Sequence, residues 1–129
     1  MENVGSMTKD LVADWLDRTD RVRIQPVLDM TRTDSVDRHD PPAWMHELVV
    51  LRDRTCVFPG CRIDARGCDL DHIVPFDDTG PPGQTSPANL AALCRRHHNA
   101  KTHRGWTYHR TDTGYEWTSP LGRTYTVPR

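Results

Sequence analysis

At 129 residues with 36% hydrophobic content and a mean hydropathy of −0.72, the chain is sized for one domain with a thin apolar core, so an additional staple is expected. A formal net charge of −1 argues against a uniformly basic nucleic-acid binder, yet the charge is uneven. Residues 91–129 hold seven Lys or Arg against two acids, whereas residues 1–50 hold ten acids against six bases, and His97, His98, His103 and His109 add to the basic last third. Residues 1–10 contain no cationic segment followed by an apolar run. The expectation is therefore a reduced, cytoplasmic protein without signal peptide or membrane span, whose four cysteines bind metal rather than pair with one another.

In chain order, Leu11, Trp15 and Leu16 at helical spacing predict a short helix over residues 8–20. Val22, Ile24, Val27 and Leu28 suggest a strand, interrupted or at an edge because Pro26 has no amide proton for a ladder. Residues 31–40 are polar and are expected to form a linker or exposed loop. Asp40-Pro41-Pro42 reads as a helix start, with aspartate capping and proline in the first turn, for a helix over 42–53 whose core stripe is Trp44, Leu48 and Leu51. From Thr55 onward short strands and loops take over. Residues 68–74 read as a strand, 80–87 as a loop and 95–103 as a helix; 106–108 and 115–117 form a hairpin around Asp112-Thr113-Gly114, with 124–127 available as a third strand. The fold class expected is α+β: a small zinc-stapled core in residues 42–129 ending in a β-hairpin, preceded by a helix/strand extension and linker in residues 1–41.

Cys56 and Cys61 flank Val57-Phe58-Pro59-Gly60, a turn-forming tetrapeptide that brings two thiols together. Cys94 and His97, three residues apart, share a face at the start of a helix. Together they make a Cys3His set suited to one structural zinc ion. Cys68 stands as an alternative fifth ligand, and His98, one turn from Cys94, as an alternative to His97. The Cys94–His97 choice leaves His98 pointing about 100° away around the helix, toward a different centre, and leaves Cys68 as a small buried residue. Neither H-x-E nor P-C-x-x-C occurs, which argues against a zinc-dependent base deaminase, and the absence of a C-x-x-C pair argues against a redox protein.

In a strand over 68–74, Asp71 and His72 project to opposite faces, so neighbours can serve separate roles. Asn89 follows, and then His98 within Cys94-Arg95-Arg96-His97-His98-Asn99-Ala100-Lys101-Thr102. This order of Asp-His, Asn and His resembles the HNH nuclease family, and the segment from Val57 to Cys61 resembles its zinc-bound subgroup; the likeness covers about residues 50–110. The resemblance implies a ββα-metal core acting on DNA, double-stranded in the first instance. It implies a divalent ion (Mg2+, Mn2+, Ni2+ or Zn2+) on Asp71 and His98, His72 as general base, Asn89 holding the loop that orients His72, and products with 5′-phosphate and 3′-hydroxyl ends. In the slot that the family often fills with a fourth cysteine, this chain has His97. Arg95, Arg96, Lys101 and Arg104 are the candidate nucleic-acid contacts, with a solvated lysine the plainer reading of Lys101. Residues 22–30, 48–61, Gly105-Trp106-Thr107-Tyr108 and Tyr115 to Gly122 resemble the C-terminal part of actinobacterial proteins that join such a module to a longer helical region, which would make this chain a C-terminal piece. The alternative reading is a catalytically inactive, zinc-stapled nucleic-acid-binding module.

Overall fold

The computed structural model describes residues 8–22 and 28–129. Thr8 caps α1 (Lys9–Asp17) by accepting from the Leu11 amide at 3.4 Å. At the other end the Thr19 hydroxyl donates to the Trp15 carbonyl at 2.8 Å, which closes the last turn before residue 20. The apolar residues that predict this helix stay exposed, Leu11 at 54% and Trp15 at 43%. The strand expected through Ile24 and Val27 falls on 23–27, outside the described residues.

The second helix, α2 (Ala43–Asp53), begins at Pro42 rather than with an Asp40 cap. The Asp40 carboxylate instead lies 3.0 Å from His39 Nδ1. The stripe that α2 buries is Met45, Leu48, Val49 and Asp53, spaced as one helical face, with Val50 beside it. Leu51, expected in that stripe, sits on the other side and is 42% exposed. Trp44 is half-buried beneath the Arg32 guanidinium, 3.8 Å from the ring centroid. A 3-10 turn (Ala65–Gly67) leads into β1 (Asp69–His72), which pairs antiparallel with β2 (Leu90–Leu93), Asp71 opposite Ala91 and His72 opposite Leu90. Then follow α3 (Arg95–Arg104) and the antiparallel meander β3 (Thr107–Thr111), β4 (Gly114–Thr118) and β5 (Thr124–Pro128). The hairpin expectation thus extends to the full third strand. A side chain at Gly114, where φ is +145°, would meet the Val127 carbonyl at 2.0 Å, so only glycine fits the β3–β4 turn.

β2 is the middle layer. Successive side chains alternate across a strand: Leu90 packs with Met45 and Val49, and Ala92 with Val50 and Ala65, all on the α2 side. Ala91 and Leu93 pack on the other side with Tyr108, Tyr115 and Trp117 of the meander. One buried carboxylate ties the layers together. Asp53 is fully buried and accepts from Arg52 Nε at 2.8 Å, Tyr115 hydroxyl at 2.8 Å and the Ala92 amide at 2.9 Å, which ties α2, β2 and β4 at one point. Among the described residues no helix is long and apolar enough to cross a membrane.

Candidate functional site

The Cys56–Cys61 turn is built by the Cys61 amide donating to the Phe58 carbonyl at 3.1 Å, with Gly60 at φ +73°. It faces the start of α3, where Cys94 is the N-cap residue and His97 lies three residues on. The three sulfurs and one His97 ring nitrogen lie within 4.8 Å of one another. Sγ of Cys56 and of Cys94 stand 3.4 and 3.2 Å from His97 Nδ1. A tetrahedron with Zn–S of about 2.3 Å and Zn–N of about 2.0 Å has edges of about 3.5–3.8 Å, so the donor set could hold a zinc ion with small adjustments. Burial pushes the Cys56 thiol pKa up, with neighbouring Cys61 acting in the same direction, while the Cys94 amide donates to its sulfur at 3.4 Å, a bond that favours thiolate. Burial, then Arg96, holds the His97 pKa below 6.5, so its lone pair is available near neutral pH. Phe58 stacks on that ring at 3.9 Å and 8°. Cys68 stands outside the set: half-exposed rather than buried, it donates to the Asp64 carbonyl at 3.4 Å.

One residue further along α3, His98 points about 100° around the helix from His97. Its Nε2 lies 3.3 Å from Oδ1 of Asp71 on β1, and its Nδ1 is buried without a hydrogen-bond partner, which leaves the Asp71 side as the ring's polar engagement. Asp71 is 4% exposed. Its Oδ2 accepts from the Tyr108 hydroxyl at 2.7 Å and from Lys101 Nζ at 2.8 Å. Burial, then the Asp71 charge, raises the Tyr108 pKa well above 10, so that hydroxyl stays a donor. Lys101 also donates to the His72 carbonyl. It is therefore pinned against β1, neither solvated nor reaching outward.

His72 is 6% exposed. Although Asp71 and His72 leave β1 on opposite sides, both border one cleft of about 340 Å³, together with His39, Phe76, His98 and Lys101. Nε2 of His72 lies 2.8 Å from Thr85 Oγ1, and the Thr85 hydroxyl donates to the His39 carbonyl at 3.3 Å. Burial, and next His39, lowers the His72 pKa below 6.5. Asn89 holds the ends of the intervening loop together: its Oδ1 accepts from the Val74 amide at 2.9 Å, and its Nδ2 donates to the carbonyls of Val74 at 3.1 Å and Gln84 at 2.8 Å.

Three participants escaped the sequence reading. Thr85 and Tyr108 reach the site only through tertiary packing. His39 lies in the stretch read as a linker, yet its ring sits 5.0 Å from that of His72. That stretch is fastened to the 75–88 loop by the Val36 amide on the Thr85 carbonyl at 2.9 Å and the Gly83 amide on Asp37 at 2.7 Å. A detectable signal existed in part, since His39 and Asp40 are two titratable residues beside a double proline. The candidate nucleic-acid contacts disperse. Lys101 lines the cleft of Asp71 and His72, Arg95 pairs with Asp69 at 2.9 Å, and Arg96 and Arg104 line a second cleft with His97.

Comparison with known proteins bears on this geometry. Two proteins of Mycobacterium tuberculosis are similar to the chain. The uncharacterized protein Rv3776 is 44% identical over 97 residues, 72% of this chain and 18% of its own length. The uncharacterized protein Rv2100 is 46% identical over 91 residues, 67% of this chain and 16% of its own length. The chain thus spans less than a fifth of the length of these relatives. No solved structure matches it. Residues 56–104, the stretch that contains the Cys3His cluster, Asp71, His72, Asn89 and His98, match the family described as HNH endonuclease.

Proposed function

We propose that the chain is a metal-dependent endonuclease that hydrolyses phosphodiester bonds of DNA, double-stranded DNA included, in a reducing cytoplasmic setting where Cys56, Cys61 and Cys94, free of disulfides, serve a structural zinc ion together with His97. The observation that carries the reading is the 3.3 Å approach of Asp71 Oδ1 and His98 Nε2 at a cleft that His72 also lines. Two ligands each about 2.1 Å from one ion stand about 3 Å apart, so this carboxylate and imidazole fit a divalent cation, with Mg2+, Mn2+, Ni2+ or Zn2+ as candidates. Such an ion, when bound, supplies positive charge against the phosphoryl oxygens and the departing 3′ oxygen.

The remaining chemistry belongs to the side chains. The Thr85 hydroxyl donates to His39, so its oxygen accepts from His72, which fixes the proton on Nε2 and leaves Nδ1 as the basic nitrogen. A neutral ring with a free lone pair can take the proton of an attacking water near pH 7. Asn89 keeps the 75–88 loop, and with it Thr85, at the distance this bond needs. Tyr108 and Lys101 hold the Asp71 carboxylate oriented. We assign residues 42–129 as the catalytic unit, of the zinc-bound kind, with residues 1–41 as an extension whose end, 36–40, closes over the base.

The test is nicking of supercoiled plasmid by protein carrying zinc, with Mg2+, Mn2+ or Ni2+ added or withheld. Nicking is expected only with added metal, and His72→Ala should lower it by about 10²–10⁴-fold. If both proteins bind DNA and neither nicks it with any metal, the chain is a binding module instead.

A further inference from the structure

A second cleft, of about 360 Å³, lies across α3 from the catalytic one, lined by Phe58, Arg96, His97, Asn99, Arg104 and Trp106 among others. We propose that it binds an unpaired nucleotide of a DNA strand, the phosphate between Arg96 and Arg104 and the base against Trp106. The two clefts divide the helix. His98, Lys101 and Thr102 face the catalytic side, while residues 96, 100 and 104, four apart along the helix, form a stripe on the other.

Charge selects an anion. Arg52, Arg95 and Arg129 all engage carboxylates, hydroxyls or carbonyls. Arg96 and Arg104 are exposed, and neither side chain forms an ion pair or hydrogen bond among the described residues. Two such guanidinium groups, about two turns and ~12 Å apart along one helix, flank the cleft and can close their long side chains on a phosphate from both ends. Ring chemistry selects a base. Phe58 meets Trp106 edge-on at 5.0 Å, and Trp106 continues to Tyr125 at 5.9 Å, the latter 40% exposed, so an aromatic surface runs out from the cleft toward solvent. In a duplex both faces of every base are covered by stacking. A ring at this site can therefore receive only a base that is unpaired or turned out of the helix. The inferred ligand is a strand with a single-stranded stretch. Its identity as the same molecule cut at Asp71, His72 and His98 rests on the nuclease reading above, whereas its binding does not.

Equilibrium binding of a short fluorescent single-stranded oligodeoxynucleotide to the full chain carrying His72→Ala tests this without cleavage. Trp106→Ala should weaken binding by about 5- to 150-fold, the loss of one base–aromatic stack, and Trp106→Phe should recover part of it. Arg96→Ala with Arg104→Ala, both on the exposed rim, should weaken binding and flatten its salt dependence. Zinc content and the circular dichroism spectrum should stay unchanged in the arginine variant. Equal affinity of parent, tryptophan and arginine variants overturns the proposal, as does a mononucleotide that competes as well as the oligonucleotide, which would make this a free-nucleotide site. Loss of binding in these variants together with a wild-type chain that nicks nothing would leave this site standing and remove the catalytic reading.

Discussion

Thr85 is where a single hydroxyl decides what its neighbour can do. It is fully buried and bonds both the His72 ring and the His39 carbonyl. Without that acceptor the imidazole is free to place its proton on either nitrogen, and only one choice would suit the proposed base. Thr85→Val, which keeps the shape, is expected to lower kcat by about 10- to 100-fold, the usual range for a group that orients a functional histidine, with KM and zinc content unchanged. Thr85→Ser should restore most of the rate. Steady-state nicking by the two variants checks this, and equal loss of kcat in both would remove Thr85 from the positioning role. The Asp-His pair, Asn89 and His98 could be picked out in the sequence because their order resembles a known family pattern. Thr85 was not, because a threonine in a Gly/Pro-rich loop carries no local sign of the ring it will meet thirteen residues back.

Elements differ in how plainly they announce themselves. α2 and α3 have a helical period or a cysteine at the cap, and the meander has turn residues between β-branched and aromatic runs, so their places could be read in advance. β2 could not. Its sequence Leu90-Ala91-Ala92-Leu93 is apolar on both sides, as a strand sandwiched between a helix and a sheet must be, and so shows no alternation. The error over Leu51 has the same root, since the stripe that faces inward is chosen by β2 and ends in the buried Asp53. One element-level contact is sensitive to pH. Hydrogen bonds from Arg66 hold the Glu47 carboxyl on α2 below its ordinary 4.5. A depressed carboxyl contributes stability that is present above the unfolded pKa and is lost as pH falls through the folded one. Glu47→Gln should therefore flatten the stability profile on the acid side of pH 4.5, at a cost near neutral pH below about 1 kcal/mol because the pair is partly exposed. Urea midpoints measured across that range test it; an unchanged acid slope would show that the pair does not contribute.

At the scale of the molecule, the Cys3His cluster stands where a larger core would otherwise be needed. Its ligands come from the 56–61 turn and from α3, and Trp117 of β4 donates to the Val57 carbonyl within that turn at 2.7 Å. Cys61→Ala should abolish stoichiometric zinc and lower thermal stability sharply, because binding energy at a structural zinc site is folding energy. Calorimetry and metal analysis of the purified variant check both, and a variant that keeps its melting temperature without zinc would contradict the assignment. His97 and His98 are sequence neighbours with different clients, the first turned to the cysteines and the second to Asp71. If both proposed centres are loaded, a chelator that strips the first would also dislocate a ligand of the second, so inhibition by EDTA would report collapse of the scaffold as readily as withdrawal of a cofactor. The order of replenishment separates the two: after complete stripping, Mg2+ alone should restore nothing, whereas zinc followed by Mg2+ should bring the activity back.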